Sequence, residues 1–190
     1  EYDAFQARNE QQKIAADAEA LQGLKVAAAD PLLRKLVTAH ILTTRAMADY
    51  YYPEAAAQYA KRSARWLAVI DDLKMVAIDD AEYLGWLAYS TGNYSDAARW
   101  LKLAAANSPA ACWLRAKLEL RDGKVADAIK DMTLAVQSLK TNYSPHNNAE
   151  EIGSRYVYSG EGGQWQFADC ASGDLAGLHL THGDFIQSLD

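Results

Sequence analysis

The sequence predicts an all-α protein on three observations. Alternation of apolar and polar residues at the two-residue strand period is nearly absent before residue 150. Ala81, Leu84, Gly85 and Ala88 keep the i, i+3, i+4, i+7 spacing of one helix face. A single offset of 31 residues lays Gly92 on Gly123, Ala97 on Ala128 and Ala104 on Ala135. The same offset places Leu87 on Leu118, Leu101 on Met132 and Leu103 on Leu134, so a helix–turn–helix hairpin recurs with its apolar pattern intact.

Elements follow in order along the chain. Residues 1–28 are rich in Ala, Gln, Glu and Lys and favour helix, with Gly23 as the candidate interruption. Asp30 then supplies an N-cap and Pro31 a first helical residue, and Pro53 marks the next break. A further helix covers the residues after Pro53, and the charged pairs Asp71-Asp72 and Asp79-Asp80 bracket a short connection as solvated helix ends. Small residues on the 81–88 face let a second helix approach closely. Gly92 turns the chain at positive φ, and Ser95 or Asp96 caps the helix that follows.

Composition bounds what such a chain does. Half of its 190 residues are hydrophobic and 23% are charged, which is enough apolar material for a folded core. A formal net charge of −6, with no basic run longer than a pair such as Lys61-Arg62, lacks the footprint of a nucleic-acid binder. No apolar stretch approaches the ~20 residues that span a bilayer, and a soluble chain is expected. The two cysteines, Cys112 and Cys170, have neither metal-ligand spacing nor an implied disulfide and are expected as small buried residues. The chain opens on Glu1 rather than Met, so a preceding segment is expected. A cleaved signal peptide, giving a periplasmic or secreted protein, and a cytoplasmic protein cut at a domain boundary both fit.

Residues 81–109 resemble a tetratricopeptide repeat. They carry Leu84-Gly85 in the first helix, the turn Gly92-Asn93-Tyr94, small residues Ala97 and Ala104 around Leu101 in the second, and Pro109 as a closing proline. The unit at 110–140 keeps Ala116, Gly123, Ala128, Met132 and Ala135 but places Arg115 and Glu119 where small or apolar residues are usual. A third match within 169–190 has Leu175-Ala176 and Gly183-Asp184-Phe185 and stops inside its second helix. A weaker one at 36–70 has Leu42-Thr43, Tyr52, Ala55 and Tyr59. The resemblance implies one domain over 1–190: a right-handed superhelical stack of antiparallel hairpins, and a fragment of a longer protein. The stretch 141–167 breaks the pattern as an irregular insert. It is either a lid anchored by Tyr156, Tyr158 and Trp165 or a degenerate helix.

No phosphate loop, nucleophile elbow or zinc-protease motif occurs, so no catalytic residue, cofactor or metal is assigned. His179, His182 and Asp184 form the tightest group of ligand-type residues, and packing beside the turn explains them. The resemblance implies instead that first helices of successive hairpins line a concave groove for a peptide or partner helix. That face carries Glu82, Trp86, Tyr89 and Ser90 on one unit and Trp113, Lys117, Leu120 and Arg121 on the next. Aromatic and cationic side chains of this kind dominate interface energetics, although helix-on-helix packing of Trp86 and Trp113 accounts for the same spacing. The expectation is a non-enzymatic protein-interaction scaffold. Alternatives are an accessory domain of a larger enzyme or of an envelope or transport assembly, or a glycan-binding groove.

Overall fold

Prolines and side-chain caps set where the helices begin. In the computed structural model of the chain, residues 2–51, 53–75, 77–141 and 163–184 are described, and every regular element among them is an α-helix. Helix α1 (Tyr2–Ala29) runs through Gly23 without interruption. One residue later α2 (Pro31–Tyr51) starts, where Asp30 Oδ1 accepts the Leu33 backbone N–H at 2.9 Å. Helix α3 (Pro53–Asp72) again opens on proline, and α4 (Ala81–Ser90) and α5 (Tyr94–Leu101) form a hairpin. The remaining helices are α6 (Pro109–Arg121), α7 (Val125–Thr141) and α8 (Gly163–His182). The chain divides into two compact units, Glu1–Leu103 and Ala104–Asp190.

In the first unit the core gathers Trp66, Ile70, Leu84 and Leu87, each at most 1% exposed. Its buried polar atoms are partnered across helices: Trp66 Nε1–H donates to Thr38 Oγ1 at 2.9 Å, and the Tyr59 and Ser90 hydroxyls share a 2.8 Å hydrogen bond. The second unit packs Leu114, Ala116, Ala128, Met132, Ala135 and Ala171 into its core, all fully buried. Alanines at Ala97 and Ala128, related by the 31-residue offset, are both 0% exposed, as a close hairpin contact requires.

Three turns share one geometry. Gly92, Gly123 and Gly183 have φ of +81°, +75° and +92°. Each glycine N–H bonds back three residues, to Tyr89, Leu120 and Leu180. The next N–H reaches five residues back: Asn93 to Ala88 at 3.0 Å, Lys124 to Glu119 at 2.9 Å, and Asp184 to His179 at 2.8 Å. This double closure is the Schellman motif, which satisfies the last carbonyls of a helix and needs a left-handed residue where a side chain is strained. Helices α4, α6 and α8 therefore end alike.

Several expectations are corrected. The helix after Gly92 stops at Leu101, short of Ala104, and Pro109 opens α6 instead of closing the preceding unit. Proline forces Ser108 into extended backbone (φ −61°, ψ 130°), and the Ala106 carbonyl is drawn to Arg115 Nη2 at 3.2 Å and Cys112 Sγ at 3.5 Å. Asn93, not Ser95 or Asp96, caps α5, its Oδ1 accepting the Asp96 backbone N–H at 3.2 Å. Residues 163–167, expected within the irregular insert, are helical. The rest of that stretch, with Tyr156 and Tyr158, lies outside the described residues, as do Phe185 and Tyr52. Cys112 is buried as expected, but Cys170 is exposed, and both are free.

Candidate functional site

The groove positions are fixed by their distance from the turn glycines. Glu82, Trp86 and Ser90 precede Gly92 by ten, six and two residues, and Trp113, Lys117 and Arg121 precede Gly123 identically. Tyr89 and Leu120 stand three before their glycines. On α8 the equivalent positions are Gly173, Gly177, Leu180 and Thr181.

In the first unit this face of α4 is a half-buried aromatic run. The rings of Trp86 and Tyr89 meet edge to face at 5.9 Å and 71°. Tyr89 meets Tyr94, at the start of α5, at 5.2 Å and 66°. Edge-to-face pairs of this kind add about 0.5–1.5 kcal/mol to area burial and hold the rings in one orientation. Glu82 is half-buried at the start of the same face, and the Ser90 hydroxyl is engaged by Tyr59.

In the second unit an open cleft of ≈ 300 Å³ lies between α6 and α8 over α7. Lys117 and Leu120 line it from α6, Met132 from α7, and Gly173, Asp174, Gly177, Leu178 and Thr181 from α8. Met132 and Leu178 are 0% and 8% exposed and form its apolar floor. Asp174 ties the helices together: its Oδ2 accepts the Trp113 indole N–H at 2.9 Å and pairs with Lys117 Nζ at 2.6 Å. Lys117 Nζ also stands 5.6 Å from the centre of the Trp113 ring. Trp113 is thus 6% exposed and serves as a wall of the core, while Lys117 is half-buried at the cleft and Arg121 is exposed.

Charge also occupies the opposite, core-facing side of α6. Arg115 and Asp131 stand where the offset puts Leu84 and Trp100, and the apolar occupants of the first hairpin are replaced by an ion pair in the second. Its hydrogen bond to Asp131 holds the Arg115 guanidinium above its ordinary value. Glu119 has a buried Oε2 without a hydrogen-bond partner, and burial, followed by the charges of Asp131 and Asp127, pushes its carboxyl up. Burial likewise pushes the Cys112 thiol up.

Sequence reasoning missed a second polar centre in the first unit. Asp80, expected at a solvated helix end, is 0% exposed and accepts Arg34 Nε–H at 2.8 Å, with Arg34 itself 3% exposed. Arg34 further donates to the Ala28 carbonyl at 3.1 Å and to Asp79 Oδ1 at 3.1 Å, and Lys35 pairs with the other Asp79 oxygen. The hydrogen bond from Lys35 holds the Asp79 carboxyl below its usual range. This network fastens the end of α1, the start of α2 and the start of α4. At Gly183, His182 Nδ1 and His179 Nδ1 face Asp184 Oδ2 at 2.9 and 3.5 Å. Among the described residues no group of three or more His, Cys, Asp or Glu side chains is arranged to hold a metal ion, and no helix is long and apolar enough to cross a membrane.

Asp174, Gly173, Gly177 and Thr181, which line the cleft, were also missed. Counting back from Gly183 by the spacing used on α4 and α6 would have found the last three. No family model, no curated protein and no solved structure matches the chain.

Proposed function

We propose that the chain is a non-enzymatic helical-repeat scaffold that binds an extended segment of a protein partner along the groove-facing positions of its first helices. The carrying observation is that the cleft of the second unit is lined by Lys117 on α6 and by Gly177 on α8, each six residues before its turn glycine, with Gly173 and Thr181 beside them on α8. A recurring helix end is what a repeat array uses to bring equivalent positions of successive helices to one face. The tetratricopeptide-like architecture, a right-handed superhelical stack, belongs to this proposal, as does the participation of Glu82, Trp86, Tyr89, Trp113, Lys117 and Arg121 in the groove. Within that set Trp113 supports the wall through Asp174, and Trp86, Tyr89 and Lys117 offer contact surface.

The test is partner recovery from native extract of the source cells by a Trp86→Ala, Lys117→Ala double variant, with helical content and Tm measured alongside. Loss of partners with the fold intact is expected. Undiminished recovery with an intact fold contradicts the proposal.

A further inference from the structure

We infer that the α6–α8 cleft accepts an uncharged, extended peptide segment bearing one bulky aliphatic side chain, an inference that rests on the partner-binding reading above. The polar end of the cleft is a matched pair, Lys117 Nζ and Asp174 Oδ2 at 2.6 Å, so its charges cancel. Each member keeps unused capacity. An ammonium has three donors, and among the described residues Lys117 directs one to Asp174. Both contacts to Asp174 fall on Oδ2, from Trp113 and Lys117, and leave Oδ1 open to solvent contact on a side chain that is 39% exposed.

A donor beside an acceptor is the complement of a peptide group, whose carbonyl accepts from Lys117 and whose N–H donates to Asp174. A carboxylate from the partner would meet the Asp174 charge, and an ammonium or guanidinium would meet that of Lys117, so both are disfavoured. The rest of the cleft is apolar apart from Thr181, whose hydroxyl donates to the Leu178 carbonyl at 2.9 Å. Met132 and Leu178 form the floor, Leu120 forms a side, and the wall is helix backbone at Gly173 and Gly177. A Cβ at either glycine would meet nothing within 4 Å, and neither glycine has positive φ, so the fold itself does not require them. Glycine inside a helix costs about 0.5–1 kcal/mol relative to alanine. Here the two glycines leave room for a side chain entering from outside.

The experiment titrates the 15N-labelled full chain with acetylated, amidated pentapeptides of alanine carrying Leu, Glu or Lys at the centre. The Leu peptide is expected to shift the amide resonances of Lys117, Gly173 and Gly177, with at least tenfold weaker binding by the Glu and Lys peptides. Gly177→Val, and Gly173→Val as a second variant on the same helix, should abolish the shifts while Tm is maintained. Equal or tighter binding of a charged peptide at these amides overturns the inference and leaves partner binding standing. Absence of any shift at Gly173 and Gly177 with all three peptides overturns both.

Discussion

Arg34 is the residue on which the first unit is most exposed to damage. Its guanidinium is 3% exposed and answers Asp80, Asp79 and the Ala28 carbonyl at once, and Asp80 Oδ2 has no partner of its own. Removing one member of a buried pair leaves the other charge unmet, so Arg34→Ala should cost about 3–5 kcal/mol in urea unfolding. An Arg34→Met, Asp80→Leu double variant should recover most of that loss, and failure to recover it would mean that the network does more than satisfy itself. Glu119 behaves in the opposite sense. Its folded-state carboxyl is raised, so its favourable contribution is complete below the unfolded value and is lost as pH rises through the folded one. Glu119→Gln should therefore raise Tm at pH 7, with the gap over the parent closing towards about pH 4, where the glutamate protonates in both states. A gap that persists unchanged at acid pH would assign the effect to something other than ionisation. The Arg34–Asp80 pair does not announce itself in sequence: the two residues are 46 positions apart, and an acidic pair before a helix reads as a solvated cap.

At the scale of the element, the hairpin turns were legible because glycine carries its own conformational meaning. Gly92, Gly123 and Gly183 all occupy the left-handed region, where alanine is strained, so Gly92→Ala or Gly123→Ala should each cost about 1–2 kcal/mol. Gly177 lies inside α8 with open space at its Cβ, and Gly177→Ala should stabilise by about 0.5–1 kcal/mol. Chemical denaturation of the three variants separates the roles, and opposite signs at turn and wall glycines are the expected pattern. Helix lengths were less legible. The stretch Ala104-Ala105-Ala106 has high helix propensity, yet it leaves the helix because Arg115 and Cys112 take the Ala106 carbonyl and Pro109 fixes the residue before it. Tertiary capture overrode local preference there. The start of α8 was hidden for a different reason: Gly163 and the residues after it show no helical apolar stripe, so periodicity had nothing to detect.

At the scale of the whole molecule, the all-α class followed from periodicity, because a 3.6-residue spacing is readable without any knowledge of contacts. The lining of the α6–α8 cleft was half legible. Register placed Lys117 and Leu120 at the cleft, whereas Asp174 depends on two helices meeting across 61 residues of sequence and could be assigned only from coordinates. Trp113, for which the spacing fits partner contact and helix packing alike, is 6% exposed and packs with its indole N–H bonded to Asp174. What the second unit offers a ligand is one cleft: bare helix backbone at Gly173 and Gly177, an apolar floor at Met132 and Leu178, and the Lys117–Asp174 ion pair. The most direct measurement places a photo-crosslinking benzoylphenylalanine at Leu120, inside the cleft, and in a second protein at Lys130, exposed on α7, in native extract of the source cells. A discrete adduct from position 120 that disappears on adding Gly177→Val, with none from position 130, is the predicted result. The same adducts from both positions, or an adduct at 120 indifferent to Gly177→Val, would contradict the assignment of this groove as the binding surface.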